Sequence, residues 1–398
     1  MSARIAILGK FPPTVGQVST LNFWLAIGLK RLGHDVIVCS DSMSTVKDAV
    51  RAHTDESLAR PPAELANIEV QYADIEDPTL YLPFANIEFT KFLSKSFAAL
   101  KSFRPDVLLS HYLEPYALVG HFVAEALRIP HVITHAGTDA VRLCSDEAIA
   151  EVYREVAQKA RRFVAKSRIA AERFGAALDG PRPAPYFPPS EYFQATDAPT
   201  TFRSLLTAKF GLSKDEPIFG FYGKFTRGKC LFELLTAFTE FRNAHASGKL
   251  CLVGAPLNNG LNLAEDAASC RILDHVSIHK PLPNWQIPDF IQSCTAVVYL
   301  KEAYKVAQHR SIVPREVLAC GARLIATDES LLGVPEALKS SGDLLMARGP
   351  DVTRSLVTAM AIAAECKRRP RQTDELSHRQ LHQDYICSWE KILLQATR

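Results

Sequence analysis

Three cations close together in the chain, Lys224, Arg227 and Lys229, are the residues whose spacing first suggests chemistry. They lie within the stretch IFGFYGKFTRGKCLFELLTAF, Ile218 to Phe238. Its apolar, aromatic-rich opening, bounded by Pro217 and Gly223, reads as a buried strand. Its close places Leu231, Leu234, Leu235 and Phe238 on one face of a helix. A strand, a basic turn and a helix N-terminus together make an anion site, because backbone N–H groups and the positive end of the helix dipole point into the turn. Several cations there suit a ligand with more than one phosphate. Solvated charges on an ordinary βα turn are the alternative, and this stretch by itself leaves both open.

Other constellations share that kind of location. Thr14, Val15, Gly16 and Gln17 follow the first strand, where open α/β sheets place their ligands. Gly16 would let backbone approach a substrate closely, or would mark a plain turn. The stretch HAGTD, His135 to Asp139, follows the strand HVIT, and the small residues between the two are expected to leave both side chains accessible. A histidine there can donate to a sugar hydroxyl or a developing charge, and the aspartate can orient it or bind an acceptor hydroxyl. A helix N-cap beside a loop histidine fits the same residues. His111, in SHYLEP, shares the setting. In QHRSIVPREVLACG, Gln308 to Gly321, Pro314 suits a first helical turn and Glu316 falls within it. That carboxylate either serves the helix dipole or accepts bonds from two adjacent ribose hydroxyls. Lys305, His309, Arg310 and Arg315 crowd the same loop. Residues 89–104 read as a helix with Lys91, Lys95, Lys101, Arg104 and no acid; an anionic membrane surface or a buried face with solvated lysines would explain it.

Positioning these loops requires alternating strands and helices. Strands are expected at Arg4–Leu8, Asp35–Cys39, Ile68–Tyr72, Asp106–Ser110, His131–Thr134 and Phe163–Ala165, with helices at Ser19–Leu32, Phe89–Phe103 and Tyr116–Leu127. The βαβ repeat implies a parallel sheet with right-handed crossovers. A proline-rich stretch from Asp179 to Thr200 reads as a domain linker. Alternation then restarts at Ile218–Tyr222, Leu250–Val253, His275–Ile278, Ala296–Leu300 and Arg323–Ala326. The first loop lacks GxGxxG, which argues against a dehydrogenase.

At 398 residues the chain has room for two domains, and 47% apolar with 22% charged residues describes a globular protein. A net charge of +3 without a dense basic block argues against nucleic acid. The nine cysteines show neither CxxC pairs nor ligand spacing, so buried thiols in a reducing compartment are expected rather than disulfides or zinc. The absence of a leader pattern and of a membrane-length apolar run points to a cytoplasmic protein.

Taken in order, these stretches resemble the retaining glycosyltransferases of family 4, the glycosyl transferases group 1. PPTVGQV resembles the family's acceptor loop, LKRLGHDVIV its next helix and strand, and HAGTD its histidine–glycine–aspartate stretch. GKFTRGKC resembles its phosphate loop, PREVLACGARLIAT its glutamate-bearing helix, and YICSWEKILLQ its last helix. The resemblance implies an α/β GT-B fold, two Rossmann-like doubly wound domains facing across a cleft. Residues 1–195 would bind the acceptor, residues 196–380 the nucleotide-sugar, and a helix at 381–398 would cross back. It makes Lys224 and Lys229 the ligands of the donor diphosphate and Glu316 the ligand of the ribose hydroxyls. His135 would lie beside the transferred sugar; with Lys224, Lys229 and Glu316 it forms the implied catalytic set. Gly16 would face the donor phosphates, peptide groups from Lys280 to Leu282 would meet the base, and Gln308, Ser311, Ile312 and Val313 complete the donor set. Gln17, His111 and Asp139 would serve the acceptor.

The implied reaction is metal-independent, retaining transfer of a hexosyl group from a UDP- or GDP-sugar, with no separate cofactor. The acceptor would be a glycan, lipid-linked or small molecule, with peripheral membrane contact through residues 89–104. Gln308 stands where the family has a glutamate and offers no charge to an oxocarbenium ion. Cys230 and Val15 stand where glycines are usual. A GT-B nucleotide-sugar epimerase and a catalytically weakened nucleotide-sugar-binding protein are the competing expectations. Lys305, His309 and Arg310 hint at an acidic sugar or an extra phosphate.

Overall fold

Short apolar runs that cannot face water on either side need cover on both faces, and parallel sheets flanked by helices supply it. The computed structural model describes residues 2–41, 51–73, 86–136, 143, 147–165, 171–172, 174, 182–195, 200–213, 215–256, 262–301, 310–341, 343–349, 351–366 and 375–398. These divide into two units. One comprises Met1–Asp48, Pro61–Tyr186 and Gln383–Arg398; the other comprises Ala49–Arg60 and Phe187–His382.

In the first unit, chain order is β1 (Arg4–Gly9), α1 (Gln17–Arg31), β2 (Asp35–Ser40), β3 (Glu69–Tyr72), α2 (Asn86–Phe103), β4 (Val107–His111), α3 (Leu118–Leu127), β5 (His131–Thr134), α4 (Glu147–Lys159) and β6 (Arg162–Val164). The sheet order is β3-β2-β1-β4-β5-β6, with every pairing parallel. The order reverses direction between β1 and β4, so a crevice opens beyond their carboxyl ends. Ile5 to Leu8 are fully buried, and Phe92 of α2 meets Tyr116 edge-on at 5.6 Å over the sheet. Phe89, Phe92 and Leu100 are buried in this core, and Lys91 pairs with Glu88 at 2.9 Å. The apolar face of residues 89–104 is therefore committed to the interior, and membrane contact by this helix would rest on exposed lysines such as Lys95 and Lys101. Among the described residues, no helix is long and apolar enough to cross a membrane.

The second unit runs α5 (Thr201–Phe210), β7 (Ile218–Phe225), α6 (Leu231–His245), β8 (Lys249–Pro256), α7 (Leu263–Ser269), β9 (Val276–His279), α8 (Ile287–Ser293), β10 (Ala296–Tyr299), α9 (Val313–Ala319), β11 (Leu324–Ala326), α10 (Glu336–Ser341), β12 (Leu344–Met346) and α11 (Val352–Glu365). Its sheet order is β12-β11-β10-β7-β8-β9. Counted from its own first strand, that is the topology of the first unit repeated, with the switch point between β7 and β10.

Three boundaries differ from the sequence expectation. The division falls between Tyr186 and Phe187, inside the proline-rich stretch rather than at residue 195. The final helix α12 (Glu375–Ala396) begins earlier than expected; Glu375–His382 group with the second unit and Gln383–Ala396 with the first. Within the first unit, Gly28 of α1 backs directly onto Ile386, Trp389 is buried, and His34 donates through Nε2 to Glu390 at 2.9 Å. Residues Ala49–Arg60 belong to the second unit although they lie in sequence between β2 and β3. Fully buried Gln286 holds them: its Nε2 donates to the Asp55 carbonyl at 2.7 Å, and its Oε1 accepts from the Asp55 N–H at 3.2 Å. The His53 N–H adds a bond to the Pro281 carbonyl at 2.8 Å.

Candidate functional site

The basic stretch of the second unit is built differently from a long turn. β7 continues through Gly223, Lys224 and Phe225, paired in register with Gly254, Ala255 and Pro256. It can do so because Gly254 has no side chain; a Cβ there would collide with the Gly223 carbonyl. Lys224 is therefore a strand residue, and the turn proper is Thr226 to Cys230, with a single 3₁₀ turn at Arg227–Lys229. Cys230 ends that turn at φ 50°, ψ 42°, the left-handed region in which a glycine costs least. It is also the N-cap residue of α6, and no side chain caps that helix end. The first-turn N–H groups and the helix dipole therefore face the turn that carries Lys229.

Lys229 reaches across the switch point to the end of β10. Its Nζ donates to the Tyr299 hydroxyl and lies 4.0 Å from the ring centroid. The Tyr299 hydroxyl in turn donates to Ser311 Oγ at 3.0 Å, just before α9. Burial lowers the Lys229 ammonium to a pKa of about 8, against the opposing charges of Cys230 and Glu329. Burial also pushes the Tyr299 phenol up to about 12, helped by the Glu316 charge. Glu316, 3% exposed, accepts from the Tyr222 hydroxyl at 2.8 Å, and Pro314 opens its helix as expected. Lys301 has a buried side chain that pairs with Glu329 at 3.4 Å, and its pKa is lowered by burial and by neighbouring Lys229.

The structure thus brings Lys229, Ser311 and Glu316 into one neighbourhood, joined by Tyr299 and Tyr222. Ile312 and Val313 lead into α9 beside them. Lys280 and Leu282 follow the edge strand β9, two strands from β7, with Lys280 exposed. Pro281 between them has no N–H and its carbonyl already accepts from His53. Gln308, Lys305, His309 and Asp139 lie outside the described residues. Among the described residues, no group of three or more His, Cys, Asp or Glu side chains is placed to hold a metal ion.

In the first unit, Gly16 is the N-cap residue of α1 at φ 137°, a conformation side chains rarely adopt, and Gln17 begins the helix. His111 ends β4 beside Gly9 of β1. Its Nδ1 lies 2.6 Å from Asn22 Oδ1, while Asn22 Nδ2 donates to the Lys10 carbonyl at 2.9 Å. With the amide so oriented, Nδ1 of His111 carries the proton. Gly9 permits this, since a Cβ there would collide with Asn22. At the end of β2, buried Asp41 accepts from the Tyr116 hydroxyl; burial raises its pKa against the nearby Lys10 charge. His135 departs from expectation: it is only 2% exposed, with its ring stacked on Phe163 at 5.9 Å, so its small neighbours do not leave it open. Tyr299, Tyr222, Lys301, Asn22 and Asp41 were not singled out in the sequence. Tyr299, Lys301 and Asp41 lie at or just past the carboxyl end of a buried strand, Tyr222 lies inside β7, and Asn22 is a polar residue within an apolar helix face.

Comparison with known proteins agrees with this architecture. Residues 20–188 match the glycosyl transferase 4-like domain, and residues 203–369 match the glycosyl transferases group 1 domain. No curated protein matches in sequence. Among solved structures, the sucrose-phosphate synthase of Thermosynechococcus elongatus is similar at 18% identity and TM-score 0.60, covering 99% of this chain and 97% of that one. A glycosyltransferase from Rickettsia africae is similar at 13% identity and TM-score 0.65, covering 100% and 99%. Anabaena HepE in complex with UDP-glucose is similar at 13% identity and TM-score 0.60, covering 98% and 99%.

Proposed function

Since the chain is a GT-B glycosyltransferase whose second half belongs to the glycosyl transferases group 1, we propose that it moves a sugar from a nucleotide-diphosphate sugar onto an acceptor, with retention and without a metal ion. The observation that carries this reading is Lys229, placed at the β7–β10 switch point beside the uncapped start of α6 and linked through Tyr299 to the loop before α9. The hard step is breaking the bond between the anomeric carbon and the diphosphate oxygen, because negative charge gathers on the leaving group. Lys229, Lys224 and the N–H groups of α6 stabilise that charge as it forms. Glu316, oriented by Tyr222, accepts bonds from the ribose hydroxyls. The acceptor oxygen then bonds to the same face of the anomeric carbon, and its proton passes to the departing phosphate. Retention rests on the resemblance of the motifs to family 4. Acceptor binding by Gln17, His111 and Asp139 of the first unit likewise rests on that resemblance.

The test is a thermal-shift screen against a panel of nucleotide-sugars, followed by transfer assays with the donor that shifts most. One donor is expected to raise the melting temperature, and product formation is expected to require an acceptor. Epimerised donor appearing without an acceptor would refute the transfer reading. The acidic-sugar idea rests on Lys305, His309 and Arg310, of which Arg310 is an exposed side chain packed against Gly333. Equal shifts from neutral and acidic donors would remove it.

Lysines and a helix end replace the divalent ion of metal-dependent transferases in this scheme. Transfer in excess chelator is therefore expected to stay within about twofold of the untreated rate, far below the roughly 100-fold loss of one key charge stabiliser. Loss of turnover on chelation, restored by a divalent ion, would contradict it.

A further inference from the structure

We infer that Tyr299 is a positioning residue for Lys229, its hydroxyl holding the ammonium at the turn where the donor diphosphate is received. The inference rests on the donor-site reading above. A phenol has one proton, and here it goes to Ser311 Oγ at 3.0 Å. The hydroxyl can then meet Lys229 only with a lone pair, so the Nζ–H group must donate. The ring adds a second constraint, with Nζ 4.0 Å from its centroid. β7 and β10 are directly paired, Phe219 with Ala296 and Gly220 with Val297, so Tyr299 at the end of β10 and the turn that carries Lys229 after β7 are held by adjacent strands of one sheet.

The hydroxyl also bears on the charge of the lysine. Among the described residues, the titratable groups that face Lys229 include Tyr299 from β10, Cys230 from its own turn, Glu329 from the turn after β11, and Lys301 from just beyond β10. Glu329 is shared with Lys301, so it compensates Lys229 only in part. The Tyr299 phenol stays neutral through the working range and remains an acceptor. Near pH 8 the lysine is close to half protonated, and both an arriving diphosphate and the hydroxyl lone pair favour the ammonium. Removing the hydroxyl withdraws one of these supports. The ammonium then titrates at lower pH and loses its aim.

The experiment is Tyr299→Phe, with kcat/KM for the donor followed from about pH 6.5 to about 9.5. The alkaline limb is expected to move down by about half a pH unit or more, as for a lost hydrogen bond to the charged form. KM for the donor is expected to rise about threefold to tenfold near pH 8, with kcat at about pH 6.5 within threefold of wild type, because a protonated lysine still serves the leaving group. Tyr222→Phe, which loses a bond to Glu316 instead, should leave the limb in place. Calorimetry with UDP and GDP in buffers of different ionisation enthalpy should show proton uptake at pH 8 in the wild type, and more in Tyr299→Phe. If that variant melts early, Ser311→Ala keeps the phenol and should move the limb the same way by a smaller step. A wild type that binds neither nucleotide and transfers no sugar sinks the donor-site reading, and this inference with it. A wild type that works, beside a Tyr299→Phe limb that superimposes on it, overturns the role of Tyr299 alone.

Discussion

Lys229→Ala is expected to lower kcat by about 100- to 1000-fold, or roughly 3–4 kcal/mol of transition-state stabilisation, the scale of losing one preorganised charge stabiliser. Its ammonium is fixed by Tyr299 before any ligand arrives, so little reorganisation is needed when the diphosphate departs. Exposed Arg227, two positions earlier, is the internal control: Arg227→Ala should cost less than about fivefold, because a solvated charge is screened. Lys229→Arg keeps a cation that does not titrate in this range, so the alkaline limb near pH 8 should vanish. The stability effect has the opposite sense to that of a salt-bridged lysine. The folded pKa of about 8 lies below the ordinary 10.5, so between these values the unfolded chain holds more protons. Wild type should therefore gain stability relative to Lys229→Ala as pH rises through that window. Turnover of Lys229→Ala within threefold of wild type would remove the lysine from the mechanism.

Gly28→Ala is expected to destabilise the first unit by about 1–3 kcal/mol, the cost of overpacking a filled contact. A Cβ on Gly28 would lie 2.5, 2.7 and 2.9 Å from three carbons of Ile386, covering both branches of a side chain that is stiff at χ1. It cannot swing aside as a long flexible chain could. Helix propensity alone argues the other way, since alanine is better than glycine within a helix by about 1 kcal/mol. The sign of the measured change is therefore decisive. A denaturation midpoint that rises in Gly28→Ala would mean that α12 does not pack on α1 as described. The double variant with Ile386→Ala should recover about 1 kcal/mol or more relative to the summed single effects, as expected for residues in contact.

The strands of both sheets were legible because parallel strands covered on both faces are continuous apolar runs. β12 was not: Leu344–Met346 is a three-residue edge strand, only half-buried throughout, and although Gly342–Asp343 and Gly349–Pro350 bound it, it is too short to show a strand pattern. The end of β7 was misjudged because Gly223 resembles a terminator, whereas the neighbouring Gly254 lets the pairing continue. Lys229 and Glu316 were legible from residue type beside a strand end and a helix start. Tyr299 and Tyr222 were not, because an aromatic in an apolar run looks like core until its hydroxyl finds a partner. Asn22 and His111 are far apart in sequence, and their bond exists only once β1, α1 and β4 are assembled. Residues 51–60 carry no periodicity at all; an amide of Gln286 and a few backbone bonds determine where they belong.

The first unit is completed by Gln383–Arg398, which follow the whole of the second unit in the chain. During synthesis the earlier segments therefore emerge with the surface around Gly28 bare, and its cover arrives only after the second unit has been made. A nascent chain must keep that apolar seam from wrong partners until residues 383–398 have followed the second unit out, a demand of the kind chaperones meet. For the same reason, a stop codon placed after residue 382 would remove the tail and also leave the amino-terminal half without its closing piece.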